Sequence, residues 1–167
     1  MADEKFTSQT VRDFWNQFLA QVERPEEAES RFLESFKVGD CEEDADEGAQ
    51  LIFSGAKTAT SSLLWECQWA GMNPPAEGDL SIVLDGRGDP VCVVETTWTA
   101  VLPFAQVDEQ LARDYGEWDG TLETWREECW AYYAVHCREL NRESNEDMPL
   151  VCERFRVVYP TFPGDQR

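Results

Sequence analysis

With 167 residues, 42% of them hydrophobic, the chain is too short for two comfortable domains and too apolar to be disordered. Thirty-four acids against 14 bases leave a net charge of −20, which sets it against tight binding to long nucleic acid, a mode driven by Lys and Arg. No apolar run approaches the ~20 residues that span a bilayer, and the start MADEKFTSQ lacks a signal peptide's apolar core, so a cytoplasmic protein is expected.

The first expected element is a helix, because Val11, Phe14, Trp15, Phe18, Leu19 and Val22 recur at helical spacing. Thr7 or Ser8 can cap it, and the acidic run PEEAES after it reads as a solvated linker. Residues 32–38 suggest a short strand. A helix follows over about 42–54, with acids at its positive end and Gly55 as its stop. After the turn at 55–60, residues 61–69 suggest another short helix. Residues 80–85 and 90–101 form a hairpin around the Gly- and Asp-rich turn 86–89, which no helix follows as a phosphate loop requires. A short helix over 108–114, a loop at 116–120 and a longer helix over 121–140 come next. In that last helix Leu122, Trp125, Cys129, Tyr132 or Tyr133, and His136 share one stripe. The strand MPLVCERFRVVYP, 148–160, closes the chain, with Val151, Glu153, Phe155, Val157 and Tyr159 on one face by parity.

Helices first, strands in the middle, then a helix and a closing strand argue for an α+β fold. We read residues 1–167 as one domain: an N-terminal helix with its acidic linker (1–30), the core (31–160) and a tail (161–167). Six Cys without a C-x-x-C pair, and a single His, argue against a metal site and for reduced thiols.

FWNQFL near the start, GAKTATSSLLW at 55–65, GDLSIVLDGRGDPVCVVETT at 78–97, PF at 103–104, TLETWR at 121–126 and MPLVCERFRVVY at 148–159 occur in that order. Together they resemble the ASCH-domain superfamily, in its longer bacterial branch. The resemblance implies a PUA-like fold, a small mixed or antiparallel β-barrel flanked by helices. It also implies a cleft beside the barrel walled by the Gly-x-Lys-x-x-Thr turn.

Lys57 and Thr60 lead the candidate catalytic residues. A hydroxyl becomes a nucleophile only beside a base, and three residues on one turn bring such a pair together. Thr60 is equally suited to capping a following helix. Thr58, Ser61 and Ser62 are close enough to substitute or to hydrogen-bond. The resemblance implies a Glu as third member, in a stretch that reads Asp114-Tyr115-Gly116-Glu117 here. Tyr115 stands in the Glu position, leaving Glu117 or Asp114 to serve from a shifted loop. Glu95 and Glu153 lie on apolar strand faces, where a carboxylate is costly unless paired, so they are expected to face the cleft or to meet Arg126, Arg154 or Arg156. Trp65, Trp98 and Trp118 offer rings on which a base can stack.

These residues suggest that the cleft binds a small nucleobase- or nucleoside-like ligand, with hydrolysis of an amide on it as the matching chemistry. RNA binding or cleavage, which the resemblance also implies, is the alternative, and a non-catalytic regulatory module is the third. No cofactor, metal or membrane partner is expected.

Overall fold

In the computed structural model, which describes residues 5–161, the N-terminal stripe forms helix α1, Gln9–Leu19. The Ser8 hydroxyl caps it, accepting from Val11 N at 3.2 Å. Val11, Trp15 and Phe18 are buried beneath it. The acidic run read as a linker is instead helix α2, Pro25–Ser30. Proline at its first position gives up no needed hydrogen bond, Glu26 and Glu27 sit at the positive end of its dipole, and Ala28 is buried. Trp15 Nε1 donates to Glu29 at 2.5 Å and fastens α2 to α1. Of the expected tail, 161–167, Thr161 alone lies within the described residues.

The remaining elements are β1 (Phe32–Phe36), α3 (Glu42–Phe53), β2 (Ala59–Leu63), α4 (Leu64–Ala70), β3 (Leu80–Leu84), β4 (Pro90–Pro103), α5 (Glu109–Asp114), α6 (Leu122–Glu139) and β5 (Pro149–Tyr159). The strands form one sheet in the order β1-β3-β4-β5-β2, with β1 parallel to β3 and the other pairs antiparallel. The expected closed barrel is not formed: among the described residues no ladder joins the edges β1 and β2. Both edge strands are five residues long.

The sheet curls instead. Bulges interrupt the β4–β5 pairing at Val93/Val94 and at Thr96/Trp98. The first moves Tyr159 off the face of Val157 and into the α1 core with Trp15, Phe18, Ile82 and Val93, so the parity reading fails at that residue. On the other face α3 packs Ala49 and Ile52 on Val83, Val94 and Phe155. A third core joins α5 and α6 to the far ends of β4 and β5 through Phe104, Trp125, Tyr133 and Leu150. All six cysteines are free, four of them buried. Among the described residues no helix is long and apolar enough to cross a membrane.

Tyr133 and Cys137, not Tyr132 and His136, turn inward from α6. His136 Nε2 lies 2.9 Å from Asp40 Oδ2, and its Nδ1 bonds Glu66 Oε1. Tyr132 donates to Asp40 Oδ1 at 3.2 Å. Asp40 follows β1 and Glu66 follows β2, so α6 clips the two open edges together through side chains.

Candidate functional site

The turn after α3 is held from three sides. Lys57 N donates to Leu51 O at 2.9 Å, Thr58 N to Asp114 O at 2.8 Å, and Phe155 N to Thr58 O at 3.0 Å. Gly116, at φ +69°, lets the loop after α5 lie against it, because a Cβ there would stand 2.1 Å from Ala56 O.

That contact delivers the partners of Lys57. The side chain is fully buried, and its Nζ donates to Glu117 Oε2 at 2.8 Å and to Tyr115 O at 3.1 Å. The same nitrogen lies 3.5 Å from the centroid of the Tyr115 ring. Burial lowers the Lys57 pKa, and the Glu117 carboxylate opposes the shift. Tyr115 is buried, so its phenol is pushed well above its usual pKa and keeps its proton. It braces the site and is no base. Glu117, from the shifted loop, is the acid that reaches the lysine.

Thr60 lies on a strand and not at a helix start. The run Ala59–Leu63 pairs with β5, and α4 begins at Leu64 with no side-chain cap. Thr60 and Glu153 are cross-strand partners, so both project from one face of the sheet. Thr96 donates to Glu153 Oε2 at 3.0 Å. Burial, together with the charges of Glu34 and Asp79, raises the Glu153 pKa to about 7, against the Thr96 hydrogen bond and the pull of Lys57. A hydroxyl and a carboxyl whose pKa lies near neutrality thus share one face, and the charge of Lys57 acts on that carboxyl.

A family model for the ASCH domain matches residues 34–159. The chain belongs to the ASCH domain family. The crystal structure of the ASCH domain from Lactobacillus crispatus JV V101 is 32% identical, with 95% of this chain and 99% of that one covered at a TM-score of 0.85. Protein EF3133 from Enterococcus faecalis V583 is 31% identical, with 90% and 88% covered at 0.77. No curated protein matches the chain.

In this ASCH domain the other candidates disperse. Thr58 is fixed to Asp114 O, also through its hydroxyl at 3.4 Å. Ser61 bonds the Tyr133 and Tyr115 hydroxyls at 2.6 and 3.2 Å. Glu95 lies across the sheet from Glu153, its carboxylate between Arg31 and Arg156. Arg126 is exposed and, among the described residues, reaches only Ala105 O, at 3.3 Å. Trp65 and Trp98 lie under the Arg142 and Arg154 guanidinium groups, whereas Trp118 stacks on Tyr115 and is 48% exposed.

Pockets flank the sheet. One of about 550 Å³ opens beside the turn and includes Lys57, Thr58, Phe155 and Arg156. Another, of about 340 Å³, lies under α1 and α2 and shares no residue with the lysine site. The ion-paired Arg31 and Glu95 in its wall satisfy each other, so it offers no comparable chemistry. Sequence reasoning missed Glu34, Asp79 and Thr96. For Glu34 a signal existed, since it shares strand parity with Phe36, just as Glu153 does with Phe155.

Proposed function

We propose that this ASCH domain binds a small nucleobase- or nucleoside-like ligand at the Lys57–Thr60–Glu153 face and hydrolyses an amide on it. The observation that carries the reading is the cross-strand pairing of Thr60 with a carboxyl poised near neutral pH. Glu153 as carboxylate takes the Thr60 proton while the hydroxyl oxygen attacks the amide carbonyl. The ammonium of Lys57 steadies the charge that develops, and Glu117 holds that ammonium in place. Glu153 returns the proton to the departing amine, and water then cleaves the acyl-threonine ester with Glu153 again as base. The half-exposed ring of Trp118, at the edge of the Lys57–Glu117 pair, suits stacking on a base.

Long RNA fits less well. Lys57, Arg154 and Arg156 are each paired, with Glu117, Asp114 and Glu95, so a phosphate chain would compete with three carboxylates.

A panel of acylated nucleobases and nucleosides, followed by chromatography of the released amine, tests the reading. Wild type releases product from at least one member, and T60A and K57A release none. Equal turnover by T60A, or release from no member of the panel, would overturn it.

A further inference from the structure

The bulge at Thr96/Trp98 has gathered hydroxyls around Glu153 that an even strand would separate. Thr99 pairs directly with Glu153, and Thr96 with Phe155, two residues further along β5. Directly opposed residues share a side of the sheet, as do residues two apart on one strand, so Thr96 and Thr99 both stand on the side of Glu153. On an unbroken strand two residues three apart face opposite ways. The extra residue of the bulge brings them round to one side.

Thr96 is pinned before it meets the carboxyl. It is buried, its N donates to Asp79 O at 2.9 Å, and its O accepts from Gly78 N at 2.8 Å. A β-branched side chain on so fixed a backbone has little rotamer freedom. Its hydroxyl donates to Glu153 Oε2 at 3.0 Å. Lys57 from the turn, Glu34 from β1 and Asp79 from the loop before β3 act on Glu153 by charge, which sets no direction for either oxygen. Lys57 is itself committed to Glu117.

The strand order makes that hydrogen bond directional. β5 lies between β4, which carries Thr96, and β2, which carries Thr60. A carboxyl with one oxygen tied toward β4 presents the other toward β2. The tied oxygen already spends a lone pair on Thr96, so the free one is where a proton is held and released.

We propose that Thr96 is a positioning residue for the site: by holding Oε2 of Glu153 it turns Oε1 to the Thr60 hydroxyl, and Oε1 takes the Thr60 proton and returns it to the leaving amine. The inference rests on the reaction proposed above and deepens it. Thr96 itself exchanges no proton with the ligand.

The test begins with a carboxyl-carbon NMR titration of glutamate-labelled wild type, T96V and T96S, which needs no ligand. Valine keeps the shape of threonine and removes its hydroxyl. In T96V the Glu153 midpoint rises by about one pH unit, because the lost hydrogen bond favoured the ionised form. T96S keeps the donor and the wild-type midpoint, whereas a role in packing alone would leave T96V unmoved. Turnover of acylated nucleobases is then compared above both midpoints, where the carboxyl is ionised in either protein. T96V is about tenfold slower there with KM little changed, since its base is no longer aimed, and T96S recovers the rate. Should T96V fail to fold, T96A is compared with T96S in the same way. An unmoved Glu153 midpoint in the folded variant, or full turnover by it above both midpoints, overturns the positioning role. A wild type that hydrolyses nothing while the midpoint moves overturns the proposed reaction, and with it the role of Oε1, but not the hold of Thr96 on the carboxyl.

Discussion

Lys57 meets Glu117 at 2.8 Å across 60 residues of sequence, and the lysine is fully buried in doing so. Removing one member of such a pair leaves the other without its compensating charge. K57M, which keeps most of the volume, is expected to cost about 3 kcal/mol. E117Q keeps an acceptor but leaves a fully buried ammonium without its opposite charge, so it is expected to cost about as much. Urea denaturation of both variants checks this, and a K57M or an E117Q no less stable than wild type would contradict it.

Gly116 carries the approach of one loop to the other. Alanine there meets both a left-handed backbone and the Ala56 carbonyl, and is expected to cost about 3 kcal/mol. Gly55 has φ +81° with nothing near its missing side chain, so G55A is expected to cost only about 1 kcal/mol. Thermal denaturation of the two variants separates clash from strain.

His136 gives the fold a pH dependence with a definite sign. Burial pulls its pKa down, but the hydrogen bonds to Asp40 and Glu66 prevail and raise it above 6.5. Its stabilisation is therefore fully present below about pH 6.5, the unfolded value, and is lost as pH rises through the folded pKa. H136Q should be destabilised relative to wild type near pH 5.5 and much less so near pH 9. Denaturation midpoints at those two pH values decide this, and a gap that widens with pH runs against it.

Glu153 has the opposite consequence. Its carboxyl costs nothing while protonated in both states, and costs progressively more as pH rises from its unfolded value of 4.5 through about 7. E153Q, which still accepts from Thr96, should equal wild type in stability near pH 4 and exceed it near pH 8. Turnover should climb as pH passes through about 7, because the base is then ionised. A pH–rate profile flat across that range would remove Glu153 from the role of base.

Much of this was legible in the residues. Helical periodicity located α1, and turn chemistry located the β3–β4 hairpin, because both signals are local. The turn with Lys57 stood out by composition, and Glu153 by its position on an apolar strand face. What escaped depends on contacts distant in sequence. Ala59–Leu63 reads as the entry to a helix until β5 offers it a ladder, and only then does Thr60 become the cross-strand partner of Glu153. Glu95 shares the alternation that marks Glu153, but the β4–β5 bulges and Arg31 put it on the other face.

The central claim is that the Thr60 hydroxyl attacks the ligand, and it predicts a covalent adduct. Wild-type protein quenched in acid during turnover of an acylated nucleobase, then digested and mass-analysed, should show the acyl mass on the peptide that contains Thr60. The adduct and the turnover should both vanish in T60A. Undiminished turnover by T60A, with no acylated peptide in wild type, would contradict it.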